Sequence, residues 1–229
     1  MDGNKHCVFV TGGTGYVGRP LITQLLRRGH EVRALVRSGS EHKLPPGGKA
    51  IFGSALDGNS YAERIQPADT FVQLAGVSHP SPSKAAEFRS VDLASAATAV
   101  RAAADAGVQH FVYVSVAQPA PVMKAYIEVR TECEMLIRQS GMNATILRPW
   151  YVLGPGHRWP YAILPVYWVM ELLPATRNGA RRLGLLTLEQ MTCALVDAVE
   201  NPPRGLRIVE VPQIRVLGGF PEESTAGAC

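Results

Sequence analysis

No apolar run in this chain is long enough to span a bilayer. The best candidate, "WPYAILPVYWVMELLP" at 159 to 174, is shorter than a spanning helix and holds Pro160, Pro165, Pro174 and Glu171. Cysteine is scarce: Cys7, Cys133, Cys193 and Cys229 stand far apart with no C-x-x-C spacing. That suits reduced thiols and predicts neither a disulfide frame nor a metal site. Charge of one sign is also scarce, with a net charge of +4 and arginines scattered without a dense basic stripe, so no nucleic-acid partner is expected. The opening "MDGNKH" lacks the apolar core of an export signal, and the expected location is cytoplasmic.

What is present describes a globular α/β chain. Its 229 residues suffice for one well-buried domain, and 46% hydrophobic with 18% charged residues argues against extensive disorder. Short apolar runs alternate with longer amphipathic ones, the pattern of βα units and a parallel sheet. Strands are expected at 7–11, 31–36, 49–52, 70–75, 111–115, 144–148 and 207–211. Helices are expected at 16–28, 84–105, 122–139 and 187–200, the third stopped by Ser140 and Gly141. The chain is read as one domain over 1–215, with 150–200 contributing a small substrate lid and 216–229 a mobile tail.

The stretch "VTGGTGYVG" at 10–18 runs an apolar strand into Gly13-x-Gly15-x-x-Gly18 and then a helix. A dinucleotide pyrophosphate needs close backbone approach at a helix N-terminus, where free N–H groups and the helix dipole meet its charge. The strand before and the helix after make this context specific. At the end of the second strand an NAD site usually carries a carboxylate. Here "VRALVRSGS" places Val36 or Arg37 there, with Arg33 upstream and Ser38 and Ser40 downstream, which favours NADP over NAD. Arg37 as a solvated surface charge is the alternative.

"TGGTGYVG", "HEVRALVRSGS", "FVYVSVA", "YIEVR" and "ILRPWYVLGPG", in this order, resemble the short-chain dehydrogenase/reductase superfamily in its extended or atypical branch, over residues 6 to 212. The resemblance implies a doubly wound parallel sheet, a Rossmann fold, holding NAD(P) above its carboxyl edge. It implies that Gly12, Thr14, Gly15, Tyr16 and Val17 line the pyrophosphate and that Arg37 meets the adenosine 2′-phosphate. Ser54, Ala55 and Leu56 would sit at the adenine, although the family often has an acid where Ser54 stands. Leu74, Ala75 and Gly76 would lie beside the ribose, and Pro149, Trp150 and Tyr151 near the nicotinamide.

The same resemblance assigns chemistry to Ser115, Tyr126 and Arg130. Serine would polarise the substrate oxygen and tyrosine would pass it a proton, while a lysine one helical turn on would hold the ribose and lower the tyrosine pKa. Arg130 occupies that lysine's place, sharing a helix face with Tyr126 and able to offer charge and donors to ribose oxygens. A guanidinium relays no proton, so retained and lost chemistry both stay open. Val122, Tyr126, Val129, Cys133 and Leu136 also fit the buried stripe of a helix. Lys124, two residues before Tyr126, points off that face. His79, after the fourth strand, is either an acid or base at the site's mouth or a solvated loop histidine.

The aromatics of 159–174, Trp159, Tyr161, Tyr167 and Trp168, suit core, an apolar substrate pocket, or a partner or membrane surface. The expected function is an NADP(H)-dependent oxidoreductase acting on a small, fairly apolar carbonyl compound. An epimerase or dehydratase is the nearest enzymatic rival. A non-catalytic NADP-binding protein, sensing redox state or holding a partner through 159–174, is the rival of another class.

Overall fold

The computed structural model describes residues 5–78, 80–120, 122–154 and 183–219. The main sheet is β1 (Cys7–Thr11), β2 (Glu31–Val36), β3 (Lys49–Phe52), β4 (Thr70–Gln73), β5 (His110–Val114), β6 (Asn143–Arg148) and a late strand, Leu206–Glu210. Between β6 and that strand lie β7 (Tyr151–Leu153) and β8 (Leu185–Thr187), which pair parallel in a small second sheet, so the late strand is β9. The helices are α1 (Gly18–Arg27), the single turn α2 (Ala85–Glu87), α3 (Ala94–Asp105), α4 (Lys124–Gln139), α5 (Leu188–Glu200) and α6 (Val211–Leu217).

The main sheet runs β3-β2-β1-β4-β5-β6-β9, all pairs parallel. This is the expected doubly wound Rossmann arrangement: the chain builds outward from β1 in one direction, then returns to β1's other side with β4. Parallel strands are covered on both faces, which explains their near-continuous apolar runs. Val8, Val10, Val72 and Val112 face α1 and α5, whereas Phe9, Phe71 and Phe111 face α3 and α4. Those three phenylalanines occupy registered positions on adjacent strands, with ring centroids 5.1 and 5.3 Å apart. Such aromatic contacts add about 0.5–1.5 kcal/mol each beyond area burial and pin the register of the three central strands.

Several element boundaries differ from expectation. The fourth strand stops at Gln73, two residues early, because Leu74–Gly76 turn over the glycine loop. The helix expected at 84–105 is interrupted by a π-helical turn, Phe88–Leu93, between α2 and α3. The last strand ends at Glu210, whose side chain caps α6, a helix read as strand end and tail from sequence; Val216 and Leu217 complete it. The apolar segment 159–174 and His79 lie outside the described residues.

Candidate active site

In an open parallel sheet a crevice forms outside the carboxyl ends of the strands where the strand order reverses, here between β1 and β4. Every described site residue predicted from the sequence follows the end of a strand on that edge or lies on α4. Gly12–Val17 follow β1, Arg37 β2, Ser54–Leu56 β3, Leu74–Gly76 β4, Ser115 β5 and Pro149–Tyr151 β6.

The β1 and β4 loops are locked together. Leu74 N–H donates to Thr11 O at 3.3 Å, and Ala75 N–H to Thr11 Oγ1 at 3.4 Å. The Thr11 hydroxyl in turn donates to buried Gln73 Oε1 at 2.5 Å. Gly12, at φ +69°, has no room for a side chain: a Cβ would stand 2.7 Å from the Leu74 carbonyl carbon. A Cβ on Gly18 would collide with the Gly12 carbonyl, so this glycine lets α1 start directly against β1's loop. Gly15 differs from both. It is exposed, and a Cβ there would meet only Gly12 O, at 3.1 Å.

This geometry fits a pyrophosphate. Val17 at the N-cap of α1 brings no side-chain acceptor, the first turn holds no acid, and Arg19 stands in that turn. The positive end of the helix dipole thus faces the edge with bare backbone at Gly15 beside it, while Arg19 N–H donates to Gly15 O at 3.2 Å and Pro20 carries no N–H. The Tyr16 ring reaches towards Gly154, where a Cβ would strike its hydroxyl.

Arg37 is exposed immediately after β2, and its carbonyl accepts Ser40 N–H in a turn. Arg33 does not join it, because its guanidinium donates to Arg64 O at 2.9 and 3.1 Å. Ser54 is held within its own loop, its Oγ accepting Leu56 N–H and its amide donating to Ser60 Oγ. Leu56 leaves an exposed apolar surface there. Pro149 O accepts Ala117 N–H at 2.8 Å, joining the β5 and β6 loops, and Trp150 packs on the core beneath them.

The three catalytic candidates are less uniform. Tyr126 is half-buried on α4, its ring 4.9 Å from Phe88 and 4.9 Å from the Arg130 guanidinium carbon. Burial raises its pKa, with Arg130 opposing that shift and Asp92 adding to it. Arg130 is buried and points inward: it donates to Asp92 Oδ1 at 2.5 Å, to Tyr113 Oη at 3.0 Å and to Val114 O at 2.9 Å. Ser115, 3% exposed, donates its hydroxyl proton to Glu134 Oε1 at 2.6 Å.

Two acids that the sequence reading did not single out therefore organise the site. Asp92 is 1% exposed in the π-helical turn, and burial pushes its carboxyl up against the pull of Arg130. Glu134, 2% exposed, accepts from Ser115, from Gln118 Nε2 at 3.0 Å and from Arg148 through Nε and NH2 at 2.9 and 2.6 Å. The available signal was an acid inside an apolar stretch, as in "SVDLASA". Among the described residues no cluster of His, Cys, Asp and Glu is placed to hold a metal ion, and no helix is long and apolar enough to cross a membrane.

A family model described as "NAD(P)H-binding" matches residues 12–158. The chain is 26% identical to a ceramide reductase of Caulobacter vibrioides, an alignment covering 98% of this chain and 70% of that protein. It is 29% identical to the 4-hydroxy-2-methyl-3-oxo-4-farnesyl-3,4-dihydroquinoline-1-oxide ketoreductase of Stigmatella aurantiaca, over 64% of this chain and half the length of that relative. In structure it is similar to the Bordetella bronchiseptica enzyme WbmH in complex with NAD+, with a TM-score of 0.67 at 21% identity, covering 89% of this chain and 75% of that one. The glycine cradle at the strand switch and these likenesses agree: the chain belongs to the NAD(P)H-binding family, within the short-chain dehydrogenase/reductase superfamily.

Proposed function

We propose that this chain is an NADP(H)-dependent oxidoreductase acting on a small, fairly apolar carbonyl compound, with Tyr126 as the proton donor. The observation that carries this reading is the position of Tyr126. Of the three catalytic candidates it is the one not buried, and it packs on a guanidinium anchored beneath the β4 loop. Gly12, Thr14, Gly15, Tyr16 and Val17 would hold the pyrophosphate, Ser54–Leu56 the adenine, Leu74–Gly76 the ribose and Pro149–Tyr151 the nicotinamide side. Arg37, exposed after the end of β2, where the second strand brings no carboxylate of its own, supports a preference for the 2′-phosphate. A bound nicotinamide dinucleotide supplies hydride to a carbonyl carbon.

Tyr126, protonated at neutral pH as any phenol is, would give its proton to the carbonyl oxygen, with Arg130 opposing the rise in pKa that burial imposes. Arg130 would shape the electrostatics at the phenol from below, with Asp92 already holding one arm of its fork. Of the segment 150–200 read as contributing a small substrate lid, α5 (Leu188–Glu200) packs on the main sheet, so the lid that selects substrate would come from the part before α5, in a single domain of residues 1–215. The thiols of Cys7 and Cys133, which form no disulfide among the described residues, suit a cytoplasmic setting.

Two bonds favour a second reading, a non-catalytic dinucleotide-binding protein. The Ser115 hydroxyl is committed to Glu134 and the Arg130 guanidinium to Asp92. NADPH oxidation followed with a panel of aldehydes and ketones separates the readings. A reductase consumes NADPH and loses about a hundredfold or more of that rate in Tyr126→Phe. An epimerase turns over without net NADPH loss. Tight NADPH binding with neither activity favours the second reading.

A further inference from the structure

Asp92 stands where the cofactor-side loop and the tyrosine helix meet. Both carboxylate oxygens lie 3.4 Å from the Val77 amide, which donates to them, and Oδ1 lies 2.5 Å from Arg130 NH2. A Cβ on Gly76 would come 2.5 Å from Asp92 Oδ1 and 3.0 Å from Arg130 NH2, so bare backbone at Gly76 lets the ion pair lie directly beneath the loop. On its other side the guanidinium supports the Tyr126 ring, and Phe88, from the same π-helical turn as Asp92, packs against that ring. Arginine is suited to this place because its planar fork bonds Asp92, Tyr113 and Val114 at once, whereas an ammonium is a point donor.

We propose that Asp92 is a positioning residue: it draws Arg130 beneath Gly76 and, through that guanidinium, ties the loop after β4 to Tyr126. This rests on the reading that a dinucleotide lies against Gly76 and that Tyr126 faces it. The groups facing the phenol are Arg130 and Cys133 from its own helix and Asp92 and Phe88 from the π-helical turn. Charge at the phenol is therefore a balance between one cation and one carboxylate. Removing the carboxylate leaves Arg130 unopposed and favours tyrosinate; removing Arg130 withdraws that support.

The test is a pH titration of tyrosinate absorbance, each protein measured minus its Tyr126→Phe counterpart, together with NADP binding. The proteins are wild type, Asp92→Asn and Arg130→Met. Asp92→Asn is expected to ionise Tyr126 about one pH unit or more below wild type and to bind NADP several-fold more weakly, and Arg130→Met to ionise it above wild type. A merely structural pair would loosen both variants without opposite shifts. If Asp92→Asn does not fold, Arg130→Met carries the comparison, since its facing carboxyl can take up a proton. Shifts of one sign, or a titration unchanged from wild type while NADP still binds, overturn the inference alone. Failure of wild type to bind NADP or NAD overturns the underlying reading and the inference with it.

Discussion

Ser115 gives its hydroxyl proton to Glu134 across 2.6 Å, so the serine at the end of β5 has only lone pairs left to offer. Glu134 also holds Gln118 and the Nε–NH2 edge of the Arg148 fork, whose NH1 donates to Glu210. The serine is thus one member of a buried polar network that fixes the β5 and β6 loops. If a carbonyl is activated here, the donor in this geometry is Tyr126.

Ser115→Ala is therefore expected to lower NADPH-dependent carbonyl turnover less than Tyr126→Phe does, by about tenfold at most against a hundredfold or more. Parallel steady-state assays of the two variants check the order. Equal losses would mean that the serine reorients to meet substrate.

Glu134→Ala should be far more damaging to the fold than Ser115→Ala. It takes the bidentate partner from Arg148, which keeps Glu210, and orphans the buried Ser115 and the Gln118 donor, at a combined cost of about 3 kcal/mol or more, whereas the serine change removes one hydrogen bond worth about 1–2 kcal/mol. Urea unfolding with a common slope gives both values.

The glycines separate packing from binding. Gly18→Ala places a methyl into the Gly12 carbonyl and should destabilise by about 2 kcal/mol or more through overpacking. Gly15→Ala meets one atom at 3.1 Å, so it should leave the melting temperature within a few degrees while weakening dinucleotide binding about tenfold. Calorimetric melting and NADPH titration of both variants test the contrast.

His110, 2% exposed, is a buried base whose pKa burial lowers to about 4 from an ordinary 6.5. Between those values the unfolded chain binds the proton and the folded chain does not. The stability associated with neutral His110 is thus fully present above about pH 6.5 and is lost as pH falls towards 4, by about 3 kcal/mol. Unfolding free energies from pH 7 to 4, compared with His110→Gln, should show this slope shrinking in the variant.

Much of this architecture was legible in the chain because parallel strands announce themselves by β-branched runs. The first three strands fall where "CVFVT", "EVRALV" and "KAIF" lie, and the glycine loop and the carboxyl-edge placement of its partners follow from strand-then-helix context. The misreadings have local causes. Helical periodicity does not distinguish an α-turn from the π-turn at Phe88–Leu93, and a helix as short as Val211–Leu217, behind Pro212, gives too few repeats to register. The Asp92 partner of Arg130 was not legible because it lies 38 residues away, and spacing along one helix says nothing about an acid arriving from another. Glu134 was passed over for the same reason: its partners come from β6 and the β5 loop.

The most direct measurement is a titration of the intact protein with NADPH and, separately, NADH, following nicotinamide fluorescence, in wild type and Arg37→Ala. Saturable NADPH binding should be at least about tenfold tighter than NADH binding, and Arg37→Ala should erase most of that difference by weakening NADPH alone. Equal affinity for the two nucleotides, or a wild-type preference untouched by Arg37→Ala, would contradict the NADP assignment. Absence of binding to either would contradict the dinucleotide site itself.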